Sequence, residues 1–436
     1  MSKKSYVTGF PRIGEQRELK KALEAYWAGK SPFSVVEETA RTLRQRHWKY
    51  QTSAGIGYIS SNDFSLYDAM LDTAVMLGAV PERFRGLQDE ALYFAMARGN
   101  AESVAMEMTK WFNTNYHYIV PELSKDDSYR LNASKLLSEY NEAKALGITT
   151  KINLIGPITF LGLSRRIDGD DPFELHAKLL PLYEELLQVI SELDDKVTVQ
   201  IDEPIFVRDN PSRVLSLIKP TYDRLCGVSE HVEIIVNTYF EHACEAVDVL
   251  VNTPVWGIGL DFVYGPNNMQ ALQPIANSGK KLVAGVIDGR NIWKNDMQKT
   301  QKLLETIGET LMRESIIVST SCSLLHTPFT LAYERNMDPE IKNWLSCAVE
   351  KLDELALVTK RFFEGDAGLD AHERAMLQVN IDANESRRSS ARIHDTNVQK
   401  RVEQLNEAGR SEPYEVRIAR QKAVLNYLPL ATTTIG

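Results

Sequence analysis

The sequence predicts an α/β chain folded as a (β/α)8 TIM-type barrel, with a helical hairpin at its N-terminal side and a linker helix near its C-terminal end. Three observations lead there. Short Val- and Ile-rich runs alternate with amphipathic stretches between about residues 149 and 323. Each run ends in polar, Gly or Pro punctuation, as buried parallel strands do. No Gly-rich dinucleotide turn follows any of them, which disfavours the alternative of an open doubly wound sheet.

Six strands are expected in that region: Lys151–Ile155, Val197–Ile201, Val232–Val236, Trp256–Leu260, Lys281–Gly285 and Ser315–Ser319. The stretches Phe173–Leu193 and Asn295–Met312 are long enough for crossover helices, and strand–helix alternation makes βαβ units. Upstream, Tyr6–Gly9, Ile56–Ser60 and Tyr116–Val120 add three more candidates. Nine candidates for eight slots leave one outside the barrel. Helices near Glu15–Trp27 and Phe33–Gln51, separated by Gly29-Lys-Ser-Pro32, form the hairpin. Residues 1–365 are assigned to the barrel domain, and 366–431 to a polar connection with an inter-domain helix from about Tyr414 to Val424. The chain then finishes in the strand-like, apolar Leu428–Gly436. A natural C-terminus usually trails into solvent, so the chain is expected to stop where another domain would start.

Composition narrows the function. The 50 Lys and Arg against 59 Asp and Glu give a formal charge of −9, an acidic balance that argues against a nucleic-acid binder. No apolar run approaches the ~18 residues of a membrane span. Four dispersed cysteines without a CxxC pair suit a reducing, cytoplasmic address.

A barrel keeps its functional groups after its strands. Asp202-Glu203-Pro204 follows one strand, but neighbouring strand residues face opposite ways, so one carboxylate alone can face the interior. Paired-carboxylate glycosidase chemistry is thereby weakened, and a carboxylate holding a helix N-terminus is an equal alternative. Cys322 and His326 sit after another strand and could supply a nucleophile or a zinc ligand. Zinc needs three or four ligands, and Asn237-Thr-Tyr239 and Asp261-Phe-Val263 offer neither His nor Cys. No metal site is expected here.

The clearer ligand signal is basic. Arg17, Lys20 and Lys21 share a helical face by i, i+3, i+4 spacing, after the turn Gly9-Phe-Pro-Arg-Ile-Gly14. Lys110 lies among aromatics and amides in Met108–Tyr118. That composition fits an anionic organic ligand with a flat group. From spacing alone a solvated helix face is the favoured account of the first cluster, and an aromatic core patch with a snorkelling lysine is the alternative for the second.

Several stretches together resemble the N-terminal half of cobalamin-independent methionine synthases. They are Gly9-Phe-Pro-Arg-Ile-Gly14, Arg17-Glu-Leu-Lys-Lys21, Arg46-His-Trp48, Glu107–Tyr118, Ile201-Asp-Glu-Pro204, Asp288-Gly-Arg-Asn-Ile-Trp293, Thr320–His326 and Thr432–Gly436. The resemblance implies a methyltransferase that moves a methyl group from 5-methyltetrahydrofolate polyglutamate to homocysteine, giving methionine. It implies two facing barrels, with a thiolate-activating zinc held in the second by two Cys, a His and a Glu beyond Gly436. Residues 432–436 would be the first strand of that absent catalytic barrel, which is also this chain's implied partner. Arg17, Glu18, Leu19, Lys20, Lys110 and Asn115 are implied to contact the folate and its tail, and Ile435 and Gly436 the homocysteine. No catalytic residue and no metal is assigned to this chain, which is expected to be inactive alone. Two other hypotheses stay open: a stand-alone folate- or anion-binding module, and a separate barrel enzyme using Asp202 or Cys322.

Overall fold

The computed structural model describes residues 4–405 and 409–432. Eight parallel strands make one sheet: β1 (Ser5–Tyr6), β2 (Ile59–Ser61), β3 (Thr150–Ile155), β4 (Val197–Asp202), β5 (Val232–Asn237), β6 (Gly257–Asp261), β7 (Lys281–Ile287) and β8 (Ile316–Thr320). Their spatial order follows the chain, β2 through β8 and then β1. A parallel bridge between Tyr6 and Tyr58 closes the ring. This is the expected eight-stranded barrel. The ninth candidate, Tyr116–Val120, lies outside it: His117–Ile119 pairs antiparallel with Met108–Lys110 as a hairpin in the long β2–β3 connection.

Side chains alternate along each strand. Val197, Val199 and Ile201 of β4 are buried in the large core that also takes the helices, while Gln200 and Asp202 join hydrogen bonds across the interior. Tyr6, Tyr58, Ile235, Val283 and Ile317 form a separate buried apolar cluster. The interior also carries polar groups, with Lys151 and Asn153 of β3 beside Gln200.

Helices α1 (Glu18–Trp27) and α2 (Phe33–Ser53) form the hairpin. Gly29 at φ +67° and Pro32 at the α2 N-cap separate them. Leu19, Leu23, Val36 and Leu43 interlock as their shared core. Among the described residues of the connection expected from residue 366 onwards, a 3-10 turn, Asp366–Gly368, is followed by two α-helices, Ala371–Ser389 and Thr396–Glu403. The first buries a short stripe of Leu377, Asn380 and Ala383, too narrow to stand out as an apolar period. The second buries nothing; its start is held by Asp395, whose side chain accepts from Asn397 and Val398 N–H.

The chain divides into two compact units, residues 1–384 and 385–436. The first contains the barrel. In the second, the helix Tyr414–Leu425 matches the expected tail helix. It is followed by exposed Leu428 and Leu430, at 77% and 91% exposure. The expected closing strand lies largely outside the described residues, as do Ile435 and Gly436. No helix among the described residues is long and apolar enough to cross a membrane.

Candidate functional site

The mouth of the barrel, at the C-terminal ends of the strands, opens into a cavity of about 320 Å³ lined in part by Thr8, Asn62, Asp63, Asn153, Asp202 and His326. Its floor is a closed polar network. Lys151 Nζ donates to Ser60 Oγ (2.7 Å), Asn153 Oδ1 (2.7 Å) and Gln200 Oε1 (2.6 Å). Gln200 Nε2 donates to Asp202 Oδ1 at 2.7 Å and to Thr8 O at 3.0 Å. Burial pushes Lys151 down to about 7 against the pull of Asp63 and Asp202. Burial also pushes Asp202 up to about 7, opposed by hydrogen bonding from Gln200 and the Lys151 charge. Such groups hold one another and leave little to attack a substrate.

The two carboxylates after β4 separate as the alternation requires. Glu203 turns away from the interior and accepts from Ile158 N–H (3.1 Å), Thr159 N–H (2.6 Å) and Tyr222 OH (3.1 Å). It caps the helix Pro157–Gly162, where the helix dipole favours negative charge. Asp202 therefore faces the cavity without a second carboxylate from its own strand end.

Cys322 does not fit a metal centre. It is fully buried beside Gly289, where an added Cβ would meet Cys322 Sγ at 3.0 Å. Burial pushes its thiol well above the usual range, with Asp261 and Asp288 pushing the same way. The His326 ring packs edge-on against Phe240 (5.4 Å) and Tyr116 (6.2 Å), and burial lowers its pKa to about 4. Among the described residues no three His, Cys, Asp or Glu converge as metal donors. The strand ends of this barrel do not suit zinc.

The four residues of the Arg17–Lys20 run take three different positions. Arg17 is the α1 N-cap, in the left-handed region at φ 61°, and its exposed guanidinium has no acidic partner among the described residues. Glu18 points back into the turn, accepting from Gln16 N–H (3.0 Å) and pairing with Arg46 (2.6 Å). Burial raises its pKa, but the Arg46 hydrogen bond and backbone N–H groups outweigh that and hold it low. Gly14, at φ +83°, makes room for this: a Cβ there would lie 2.2 Å from Glu18 Oε2. Leu19 is buried in the hairpin core. Lys20 is exposed and meets Glu24 at 3.6 Å. Arg17 and Lys20 thus present charge, while Glu18 and Leu19 fix the element that carries them.

Lys110 and Asn115 are exposed on the hairpin, whose inward face buries Trp111 and Tyr118. Asp68 ties the hairpin to the helix Ala69–Met76, accepting from Leu71 N–H (2.9 Å) and Ile119 N–H (3.0 Å). The tip is held by Phe112 against Phe240 (5.7 Å) and by Arg290 Nη2 donating to Asn113 O (3.1 Å). Lys110 lines a groove of about 590 Å³ between the hairpin and the loops after β3, β4 and β5. Neither hollow includes Arg17, Lys20 or Asn115. Arg290, within the Asp288–Trp293 motif, stacks over Phe240 (5.0 Å) and Tyr264 (4.9 Å), a contact with no local sequence signal.

Residues 4–312 match the family model described as cobalamin-independent synthase, N-terminal domain. The chain belongs to the cobalamin-independent methionine synthase family. It is 53% identical over 434 residues to a 5-methyltetrahydropteroyltriglutamate–homocysteine methyltransferase of Desulforamulus reducens, covering 99% of this chain and 56% of that protein. A chloroplastic methyltransferase of the same name from Arabidopsis thaliana is 41% identical, with 99% and 54% covered. The chain therefore spans about half the length of the curated relatives it matches. Among solved structures, a B12-independent methionine synthase from Shewanella sp. W3-18-1, in complex with selenomethionine, superposes with a TM-score of 0.60 at 14% identity. It covers 84% of this chain and 99% of that one, a likeness of fold alone.

Proposed function

We propose that this chain is the folate-gripping N-terminal barrel of a methyltransferase that moves a methyl group from 5-methyltetrahydropteroyltriglutamate to homocysteine, giving methionine. The observation that carries the reading is the arrangement of Arg17, Lys20 and Lys110. They are exposed cations on two braced elements, and Arg17 and Lys110 have no acidic partner among the described residues. A triglutamate tail is a chain of carboxylates, and each charge-assisted hydrogen bond to one is worth ~1.5–3 kcal/mol. Asn115, exposed at the hairpin tip, would orient the ligand's amides. Glu18 and Leu19 would serve by holding α1.

Transfer to homocysteine needs a thiolate, and a thiol of pKa near 8.5 is mostly protonated at neutral pH. A zinc ion supplies the Lewis acid for that in the reading proposed here, held by the part of the relatives that this chain does not span. Contacts to homocysteine at Ile435 and Gly436 belong to the same proposal, as does a cytoplasmic address. The exposed Leu428 and Leu430 favour a barrel that meets a second domain over a free-standing binding module. On this reading the chain binds folate and transfers no methyl group by itself.

Calorimetry of 5-methyltetrahydropteroyltriglutamate against the monoglutamate, on wild type and on a Lys20→Ala, Lys110→Ala double variant, tests the proposal. Tighter binding of the triglutamate, abolished in the double variant, is the expected result. Equal binding of the two ligands by wild type would place the tail site elsewhere.

A further inference from the structure

The groove beside the hairpin holds a second cation. Arg208 follows the turn Pro204–Val207 that ends β4, and lines the hollow together with Lys110, Phe112, Asn113, Leu163 and Val207. Its backbone is fixed on both sides: its N–H donates to Ile205 O at 3.1 Å, and its carbonyl accepts from Asn210 Nδ2 at 2.9 Å. Its guanidinium is exposed and has no acidic partner among the described residues. Lys110 is in the same condition, its main chain locked in register with His117 and its ammonium free. Two acidic residues also line the groove. They are Glu107, whose carboxylate lies 4.0 Å from the exposed Arg165, and Glu241.

Two cations without an acidic partner among the described residues, on braced backbone and in a hollow lined also by apolar side chains, make a preorganised receptor for carboxylate joined to an apolar or flat body. A guanidinium fork meets a carboxylate bidentately, whereas an ammonium meets it as a point charge. Glu241 supplies an acceptor for an amide N–H, which a wholly cationic groove would lack. We infer that this groove is a carboxylate subsite in which Arg208 and Lys110 grip one glutamyl group of the ligand from two sides. Arg208 is thus a contact and specificity residue. The inference rests on the folate reading above and deepens it.

Isothermal calorimetry of 5-methyltetrahydropteroyltriglutamate on the full chain tests it, with Arg208→Ala, Arg208→Lys, Lys110→Ala and, as a charge-loss control, Lys302→Ala. Lys302 is exposed on the helix Met297–Thr310. Arg208→Ala is expected to weaken binding about tenfold or more. Arg208→Lys should recover part of that, and Lys302→Ala should leave affinity within about twofold. Unchanged thermal unfolding would show that Arg208→Ala is folded. Wild-type affinity in Arg208→Ala alongside weakened Lys110→Ala would overturn the subsite and leave the folate reading standing. Absence of triglutamate binding to wild type would overturn both.

Discussion

Inside the barrel the ammonium of Lys151 lies 2.6 Å from Gln200 Oε1, the same oxygen that accepts the Tyr6 hydroxyl. A fully buried lysine is costly to desolvate, and here three acceptors and the nearby Asp63 and Asp202 offset only part of the cost. Removing the ammonium would strand those three acceptors in a buried site. Lys151→Met is therefore expected to lose about 3 kcal/mol of stability through the stranded acceptors. Urea unfolding of the two proteins measures it. A loss under about 1 kcal/mol would mean that the network closes without Lys151.

That network also marks where sequence reading succeeds and stops. Val-Thr-Val-Gln-Ile and Lys-Ile-Asn-Leu-Ile announce strands because β-branched residues recur, and β3 and β4 form there within a residue. The same alternation does not say that the polar face is the barrel interior, since a half-exposed strand has the same pattern. Tyr116–Val120 reads as a barrel strand because local propensity cannot distinguish a hairpin arm from a parallel strand; the antiparallel partner Met108–Lys110 decides it. For the candidate site, Arg17, Lys20 and Lys110 were legible as charge in a pattern. Leu19 as hairpin core needed the packing of α2 against it. Arg208 stands in Val207-Arg-Asp-Asn210 with no periodicity, and its value comes from the hairpin folding across from it.

Arg17 carries two roles that substitution can separate. Its φ of 61° is a conformation that costs a residue with a Cβ about 1 kcal/mol relative to glycine. Arg17→Gly and Arg17→Ala both remove the cation, so on the folate reading both should weaken triglutamate binding to the same degree. Their stabilities should differ, with the Gly variant about 1 kcal/mol the more stable. Paired chemical unfolding and calorimetry read the two effects. Equal stability would mean that the α1 cap does not hold the left-handed geometry in solution.

His47 gives the fold an acid-sensitive element whose sign can be worked out. Its ring is packed among Phe10 (5.3 Å), Phe64 (6.0 Å) and Phe329 (5.2 Å), with Nε2 buried and unpartnered. Burial, then Arg46 and Arg44, push its pKa down to about 3, while in the unfolded chain it titrates near 6.5. Above about pH 6.5 both states are neutral at this position and stability is unaffected. Between about 6.5 and 3 the unfolded chain takes up a proton that the folded chain refuses, so stability falls as pH falls, by ~1.4 kcal/mol per pH unit. His47→Phe keeps an aromatic body among the three phenylalanines and removes that proton. The other titrating groups are common to both proteins and cancel. The stability difference between variant and wild type, from urea unfolding at pH 7, 6, 5 and 4, should shift in favour of the variant at about that rate below pH 6. A difference that stays constant across the series would show that His47 takes its proton in the folded protein as readily as in the unfolded one.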